Sequence, residues 1–235
     1  MTAASQSKYL QPLSEYICHT RLEDLPAHVV ERGLWIIADS IAAIVAGHRI
    51  GEMQDFVKRH LAGGSEGRSS VVGTGIKAEP IRAALLNGTA GTWLEQDEGN
   101  LHAGGGHPGI QVVPAALAIA QERGASGSDL LLALILGYEA SSRISRASKL
   151  KLVFHPHGTA GPIGAAVAVA KLTGCKTADM QRTLNISATL GIATSRNAIL
   201  EGVTVRNAYT GMSGFMGILT HQMVQSGFTG EDDGV

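Results

Sequence analysis

The sequence predicts an all-α protein. Three observations carry that reading. Apolar residues recur three and four positions apart along most of the chain, the spacing of helix faces. Apolar residues make up 44% of the sequence but aromatics only 4%. The core must therefore be built from Ala, Leu, Ile and Val, which suits close helix packing better than a β-sandwich. Convincing apolar–polar alternation and the usual β-hairpin signals are both missing. At 235 residues the chain can bury one sizeable core or two small ones. The expectation is a single multi-helix globular domain over 1–235.

Each element follows from a local signal. Tyr9, Leu10, Leu13, Tyr16 and Ile17 share one face of a segment at 6–20. Pro26 stands where a helix-start proline belongs. The stripe Val30, Leu34, Ile37, Ile41 and Ile44 then carries a helix to about Gly47, and its breadth predicts burial on most sides. Asp39, inside that stripe, reads as a hydrogen-bonded core carboxylate. Residues 51–62 suit a short surface helix. Residues 63–80, rich in Gly, Ser and charge, suit a surface connection, with room for a short extended piece at 70–72.

Pro80 starts a helix through Ile81, Leu85, Ala90 and Leu94. It is expected to deliver Glu95, Asp97 and Glu98 to its C-terminal end, where Gly99 can stop it. After glycines 104–106, His107-Pro108-Gly109 enters a helix to about Arg123, with Pro114 in its first turn or just inside it. The run G-A-S-G-S-D at 124–129 ends one helix and starts another, with Ser128 as N-cap. That next helix runs from 129 to about 148 and pairs Glu139 with Arg143 at i, i+4. Residues 154–158 form a loop. A helix of small residues, begun by Thr159 or Gly161, ends at Gly174; its alanines and glycines permit close backbone approach, so it is placed centrally. Residues 177–193 give one more helix, capped near Thr177. Residues 194–206 read as irregular, and 209–225 as the last helix.

Composition excludes several functions. A net charge of −1 gives no general attraction to nucleic acid or to an anionic membrane. The one basic run, Arg143, Arg146, Lys149 and Lys151, reads as a solvated helix end. Cys18 and Cys175 are far apart and lack a C-x-x-C pattern, which indicates neither a disulfide framework nor a thiolate zinc site. The N-terminus has no apolar signal core. The longest apolar stretch, 34–45, is broken by Asp39 and Ser40 and falls short of the ~20 residues a bilayer needs. The default expectation is a soluble cytoplasmic protein.

The stretch 94–118 concentrates the chemistry. Glu95, Asp97, Glu98, His102 and His107 surround three glycines. His107-Pro108 is matched by His155-Pro156. In both, proline holds the preceding histidine extended, just ahead of a helix. A helix N-terminus favours a bound anion and lowers an imidazole's basicity. A neutral histidine beside an anionic substrate can work as general acid or base near neutral pH. The plain alternative is a pair of loop histidines packed on their neighbours. His102, His107, His155 and His157, with Asp97, have spacings that permit a metal, but they lack the rigid i, i+4 ligand pair of helix-borne zinc motifs. No tightly bound metal is expected. Glycines 104–106 could cradle a phosphate, but no strand precedes them, so a nucleotide fingerprint is not indicated.

Several motifs together resemble the MmgE/PrpD family. They are Leu86-Asn87-Gly88-Thr89-Ala90, the acidic cluster, His107-Pro108-Gly109 and Pro114-Ala115-Ala116-Leu117-Ala118. To these add Gly137-Tyr138-Glu139 with Arg143-Ile144, Phe154-His155-Pro156 with Gly158-Thr159, Val205-Arg206-Asn207-Ala208-Tyr209 and Gly227-Phe228-Thr229-Gly230. The resemblance implies a lyase or isomerase acting on a small polycarboxylate, by proton transfer at a carbon next to a carboxylate, without metal or organic cofactor. Family members include 2-methylcitrate dehydratase, cis-aconitate decarboxylase and an iminodisuccinate epimerase. It also implies a large helical domain with a smaller α+β lid, usually in a homodimer.

Carried over by motif, Asp97, His107 and His155 are the expected catalytic residues, with Glu95 the rival to Asp97. Of the family's D-x-D-D, here Glu95-Gln96-Asp97-Glu98, only Asp97 keeps its identity. Arg206 stands where a decarboxylase-like member has an active-site lysine. Arginine does not readily give up its proton, so carboxylate clamping is implied instead. Arg206, Glu95 and His102 form the expected substrate-binding set. Family members are longer than this chain, which stops shortly after Gly230-Glu231-Asp232-Asp233, so the lid is expected to be absent. The chain alone is then expected to self-associate or bind a complementary chain, and to turn over weakly. Two other classes stay open: a catalytically incomplete helical module completed by a partner, and a metal-dependent hydrolase.

Overall fold

A computed structural model describes residues 8–64, 66–103 and 106–235. Glycines 104 and 105, weighed as a phosphate cradle and not favoured, and the start of the 6–20 segment lie outside the described residues. The described chain is helical apart from one small hairpin. Its helices are α1 (Leu10–His19), α2 (Ala27–Gly47), α3 (Gly51–His60), α4 (Pro80–Gly91), α5 (Pro108–Arg123), α6 (Gly127–Ala147), α7 (Ala160–Leu172), α8 (Thr177–Thr189), α9 (Asn197–Leu200) and α10 (Ala208–Gln225). None of them is long and apolar enough to cross a membrane.

Helix α7 is the centre. Every residue from 160 to 170 is buried, and α5, α6, α8 and α10 all pack on it. Small side chains make this possible. A Cβ on Gly137 of α6 would lie 2.5 Å from the Gly164 carbonyl of α7, so the two backbones meet where neither carries a side chain. The crossing of α4 and α10 works the same way. A Cβ on Gly211 would lie 2.4 Å from the Leu85 carbonyl and 2.2 Å from Thr89 Oγ1. Lys171 of α7 caps the end of α1, its ammonium donating to the Ile17, Cys18 and Thr20 carbonyls at 2.8–2.9 Å.

Several local expectations need correction. The sequence shows no hairpin signal, yet β1 (Ser69–Val71) pairs antiparallel with β2 (Ile76–Ala78), Ser70 opposite Lys77. Gly73 and Gly75 take positive φ in its turn. Asn87 of α4 anchors it: Oδ1 accepts from the Val72 N–H at 3.0 Å and Nδ2 donates to the Ser70 carbonyl at 2.8 Å. Helix α4 ends at Gly91, so the acids follow on a loop rather than a helix end. The Thr92 hydroxyl leaves its own helix for the Asn207 carbonyl and Thr210. Ser126, not Ser128, caps α6. Its Oγ accepts from the Asp129 N–H and Asp129 accepts from the Ser126 N–H, a reciprocal capping box. Pro114 lies in the second turn of α5. The 194–206 segment contains α9 and a 3₁₀ turn at 204–207. Helix α2 is not buried on most sides: Trp35 is 64% exposed and Leu34 is exposed beside it. Its neighbours α4, α5 and α6 cover one side only.

Candidate active site

His107 sits at the N-cap of α5, with Pro108 as the first helical residue. The loop leading to it is pinned at Glu98. The Glu98 N–H donates to Asp39 Oδ2 of α2 at 2.9 Å. Its carboxylate accepts from the Gly109 N–H at 2.5 Å and from the Tyr138 hydroxyl at 3.0 Å. Glu98 thus satisfies a first-turn donor of α5 from across the loop, and Asp39, half-buried, has the structural role expected of it. A bridge between Asn100 and Gly106 closes the loop on itself, the Asn100 N–H donating to the Gly106 carbonyl at 2.9 Å. The result is that Asp97, its side chain 0% exposed, lies 3.0 Å from His107 Nδ1. The approach is close but off the line of the ring N–H, and neither Asp97 oxygen has a hydrogen bond of good geometry.

His155 precedes a 3₁₀ turn (Pro156–Gly158) that leads into α7. Its backbone is strapped to Thr194: the His155 N–H donates to the Thr194 carbonyl at 2.8 Å, and Thr194 Oγ1 donates to the His155 carbonyl at 2.9 Å. His155 Nδ1 accepts from the His157 N–H at 3.4 Å. His157 is fully buried between the two loops. Its ring centroid lies 4.3 Å from that of His155 and 5.4 Å from that of His107. Its Nδ1 meets Gln111 Nε2 at 2.6 Å, and its carbonyl accepts from the Ser213 hydroxyl. Tyr209 faces His155 from α10, with centroids 5.8 Å apart. Arg206, 3% exposed, pairs through Nη1 with Glu95, while its Nε and Nη2 are buried without a partner.

The two loop histidines are driven in opposite directions. The hydrogen-bonding contact with Asp97 raises His107 above its ordinary value, against the effect of burial. The helix N-terminus is expected to lower its basicity; the carboxylate at 3.0 Å acts in the opposite direction. His155 is pushed down to about 4, first by burial, then by the charges of Arg206, His107 and Arg196. Burial also holds His157 well below the usual range. Burial raises the Glu98 carboxyl, although Gly109 and Tyr138 oppose it. The neighbours of Nδ1 favour one tautomer of each ring. With Nδ1 of His155 accepting, its neutral ring carries the proton on Nε2. With Nδ1 of His107 facing Asp97, its neutral ring has the lone pair on Nε2.

Of the residues singled out in the sequence, Asp97 and His107 are in contact, and His155 joins them through His157. Glu95 reaches the cluster through Arg206. His102 does not join it. It is exposed, and it lines a separate hollow of about 770 Å³ between α2 and α6, with Arg32, Glu98 and Tyr138. Gln111 escapes the sequence reading as a site residue, and His157 enters it only as one of the residues whose spacing permits a metal. Gln111 could be found as a polar side chain one helical turn after His107, at the apolar start of α5. Among the described residues no three His, Cys, Asp or Glu side chains converge to hold a metal ion.

Comparison with known proteins follows the same lines. A family model for the MmgE/PrpD N-terminal domain matches residues 11–235. The chain is 28% identical over 230 residues to a cis-aconitate decarboxylase of Aspergillus terreus, which covers 85% of this chain and 47% of the relative. It is 28% identical over 233 residues to the cis-aconitate decarboxylase-like protein oryM of Aspergillus oryzae, covering 93% and 47% respectively. The chain thus spans about half the length of the curated relatives it matches.

Proposed function

The chain belongs to the MmgE/PrpD family, and from that premise we propose that Asp97, His107, His155 and Arg206 form the proton-transfer site of a lyase or isomerase for a small polycarboxylate, of the cis-aconitate or 2-methylcitrate kind. The observation that carries this reading is geometric: a buried carboxylate 3.0 Å from His107 Nδ1, with His155 in the same cluster of imidazoles, and the shifts of His107 up and His155 down agree with it. An imidazole backed by a buried carboxylate suits a base, and one kept neutral suits a hydrogen-bond donor. Neutral His107 takes a proton on Nε2 from the carbon next to a substrate carboxylate. Asp97, buried 3.0 Å from Nδ1, stabilises the imidazolium that results. His155, neutral with its proton on Nε2, hydrogen-bonds to the substrate oxygen on which negative charge develops, and in a dehydration the proton held by His107 leaves with the departing hydroxyl as water. Arg206 has two nitrogens without a partner and holds a substrate carboxylate.

The test is to incubate the purified protein with cis-aconitate, 2-methylcitrate and related acids in D2O and follow them by NMR. The expected result is product, or deuterium at a carbon next to a carboxylate, that is lost in Asp97→Asn and His107→Gln. Deuterium entry unaffected by either substitution would refute the assignment.

A second reading has its own support. Leu152, Val153, Leu200 and Val205 are exposed apolar side chains on segments tied together by the Phe154–Ser195 bridge and by the Arg196 N–H to Val153 carbonyl bond. Such a rim, next to Arg206, suits cover by a second copy or by a complementary chain. Sedimentation showing a monomer at every concentration, with full turnover, would remove this reading.

A further inference from the structure

We infer that Glu95 is a stand-in for the substrate: its carboxylate occupies Arg206 in the empty site, and a substrate carboxylate takes its place on binding. The inference rests on the polycarboxylate reading above. Three observations support it. First, Arg206 is almost wholly buried, and Glu95 is its one ion-pair partner among the described residues. A buried cation without an anion is strongly disfavoured, so an empty site needs some carboxylate there. Second, the pair is lopsided. The Glu95 side chain is 48% exposed, so it reaches in from solvent and can return to it without crossing the core. Third, Glu95 is the only non-glycine residue with positive φ among the described residues, at 53°. That backbone conformation is unfavourable for an L side chain; it falls in the turn that follows α4, where the Glu95 N–H donates to the Thr92 carbonyl at 3.3 Å, and it accompanies the contact with Arg206.

Exchange of one carboxylate for another keeps the ion pair and returns Glu95 to water. The movement is local. Leu94, Glu95 and Gln96 are exposed, whereas Glu98 is fixed by Asp39, Gly109 and Tyr138, so Asp97 stays beside His107. Glu95 then sets affinity: a ligand gains Arg206 only by displacing it, and an acid lacking a carboxylate in reach of Arg206 leaves the gate shut.

The experiment is calorimetric titration of the intact protein with tricarballylate, an unreactive tricarboxylic acid. Wild type, Glu95→Gln, Glu95→Gly and Arg206→Gln are compared, with KM for the reacting acid as a second readout. Both Glu95 variants are expected to bind on the order of tenfold more tightly and to lower KM by a similar factor. Glu95→Gly also removes the cost of the positive φ. Both variants leave Arg206 without an anion in the empty site, so thermal melts with and without tricarballylate accompany the titration, and each variant is expected to be stabilised by the ligand more than wild type is. Arg206→Gln is expected to lose binding. If wild type binds tricarballylate but the Glu95 variants bind it no more tightly, the stand-in role is overturned and the polycarboxylate site survives. If wild type does not bind it at all, both fall.

Discussion

Replacing Asp97 with Asn puts the base to the test. The Asp97 carboxylate is completely buried 3.0 Å from His107 Nδ1. Two unit charges at that distance attract by about 5 kcal/mol at an effective dielectric of ~20. Desolvation of both groups takes much of this back, and the remainder is what raises His107 above its ordinary value. Asparagine keeps the shape but removes the charge. Its amide N–H can also donate to Nδ1, which shifts the ring proton to Nε2 and hides the lone pair that the reaction needs. The expected fall in kcat is about 10²- to 10⁴-fold. Base catalysis requires neutral His107, so wild-type activity rises with pH through its raised value. In the variant that limb moves to lower pH. The assay is kcat and kcat/KM against pH, with a thermal melt to show that the variant is folded. A folded variant with undiminished kcat and an unmoved limb would refute the reasoning.

Other outcomes follow from burial and packing. The unfolded chain protonates His155 near its ordinary 6.5, but the native state resists until about 4. Stability is therefore lost as pH falls through that window, by about 2 kcal/mol once solvent screening is allowed for. His157 acts in the same direction, whereas His107 and Glu98, both raised, oppose it. Urea unfolding of wild type and His155→Gln at neutral and mildly acid pH isolates the His155 share; identical pH dependence would count against it. Gly211→Ala places a Cβ 2.2 Å from Thr89 Oγ1 and 2.4 Å from the Leu85 carbonyl. The expected cost is about 1–3 kcal/mol, and an unchanged urea midpoint would show that α4 and α10 separate freely.

The helices are legible in the sequence because their apolar spacing survives without any knowledge of neighbours. Helix α7 is legible as the centre because only small residues tolerate contact on every side. The hairpin is not. Strands of three residues are too short to show alternation, and Gly73 and Gly75 look like any surface connection until Asn87 is seen to hold Val72 and Ser70. Ser126 and Ser128 are equivalent caps on paper; the bond from the Asp129 N–H decides between them. The His-Pro pairs can be read as chemistry because proline fixes the histidine at the start of a helical turn. The basicity of His107 escapes the sequence because its neighbour is supplied by a loop folding back, not by the helix that follows. The anchors of that loop, Asp39 and Glu98, come from separate parts of the chain, and no local pattern marks them as partners. In the sequence Glu95 reads as a substrate ligand, and only its contact with Arg206 points to a residue that yields to one.

The most direct test of the account is the protonation of the two imidazoles, read by nitrogen-detected histidine NMR across a pH titration. His107 is expected to titrate above its ordinary 6.5 with its neutral proton on Nδ1. His155 is expected to stay neutral, with the proton on Nε2, down to about pH 4. Titration of both rings together near 6.5, or a His155 more basic than His107, would contradict the division between a base and a neutral hydrogen-bond donor on which the proposed chemistry rests.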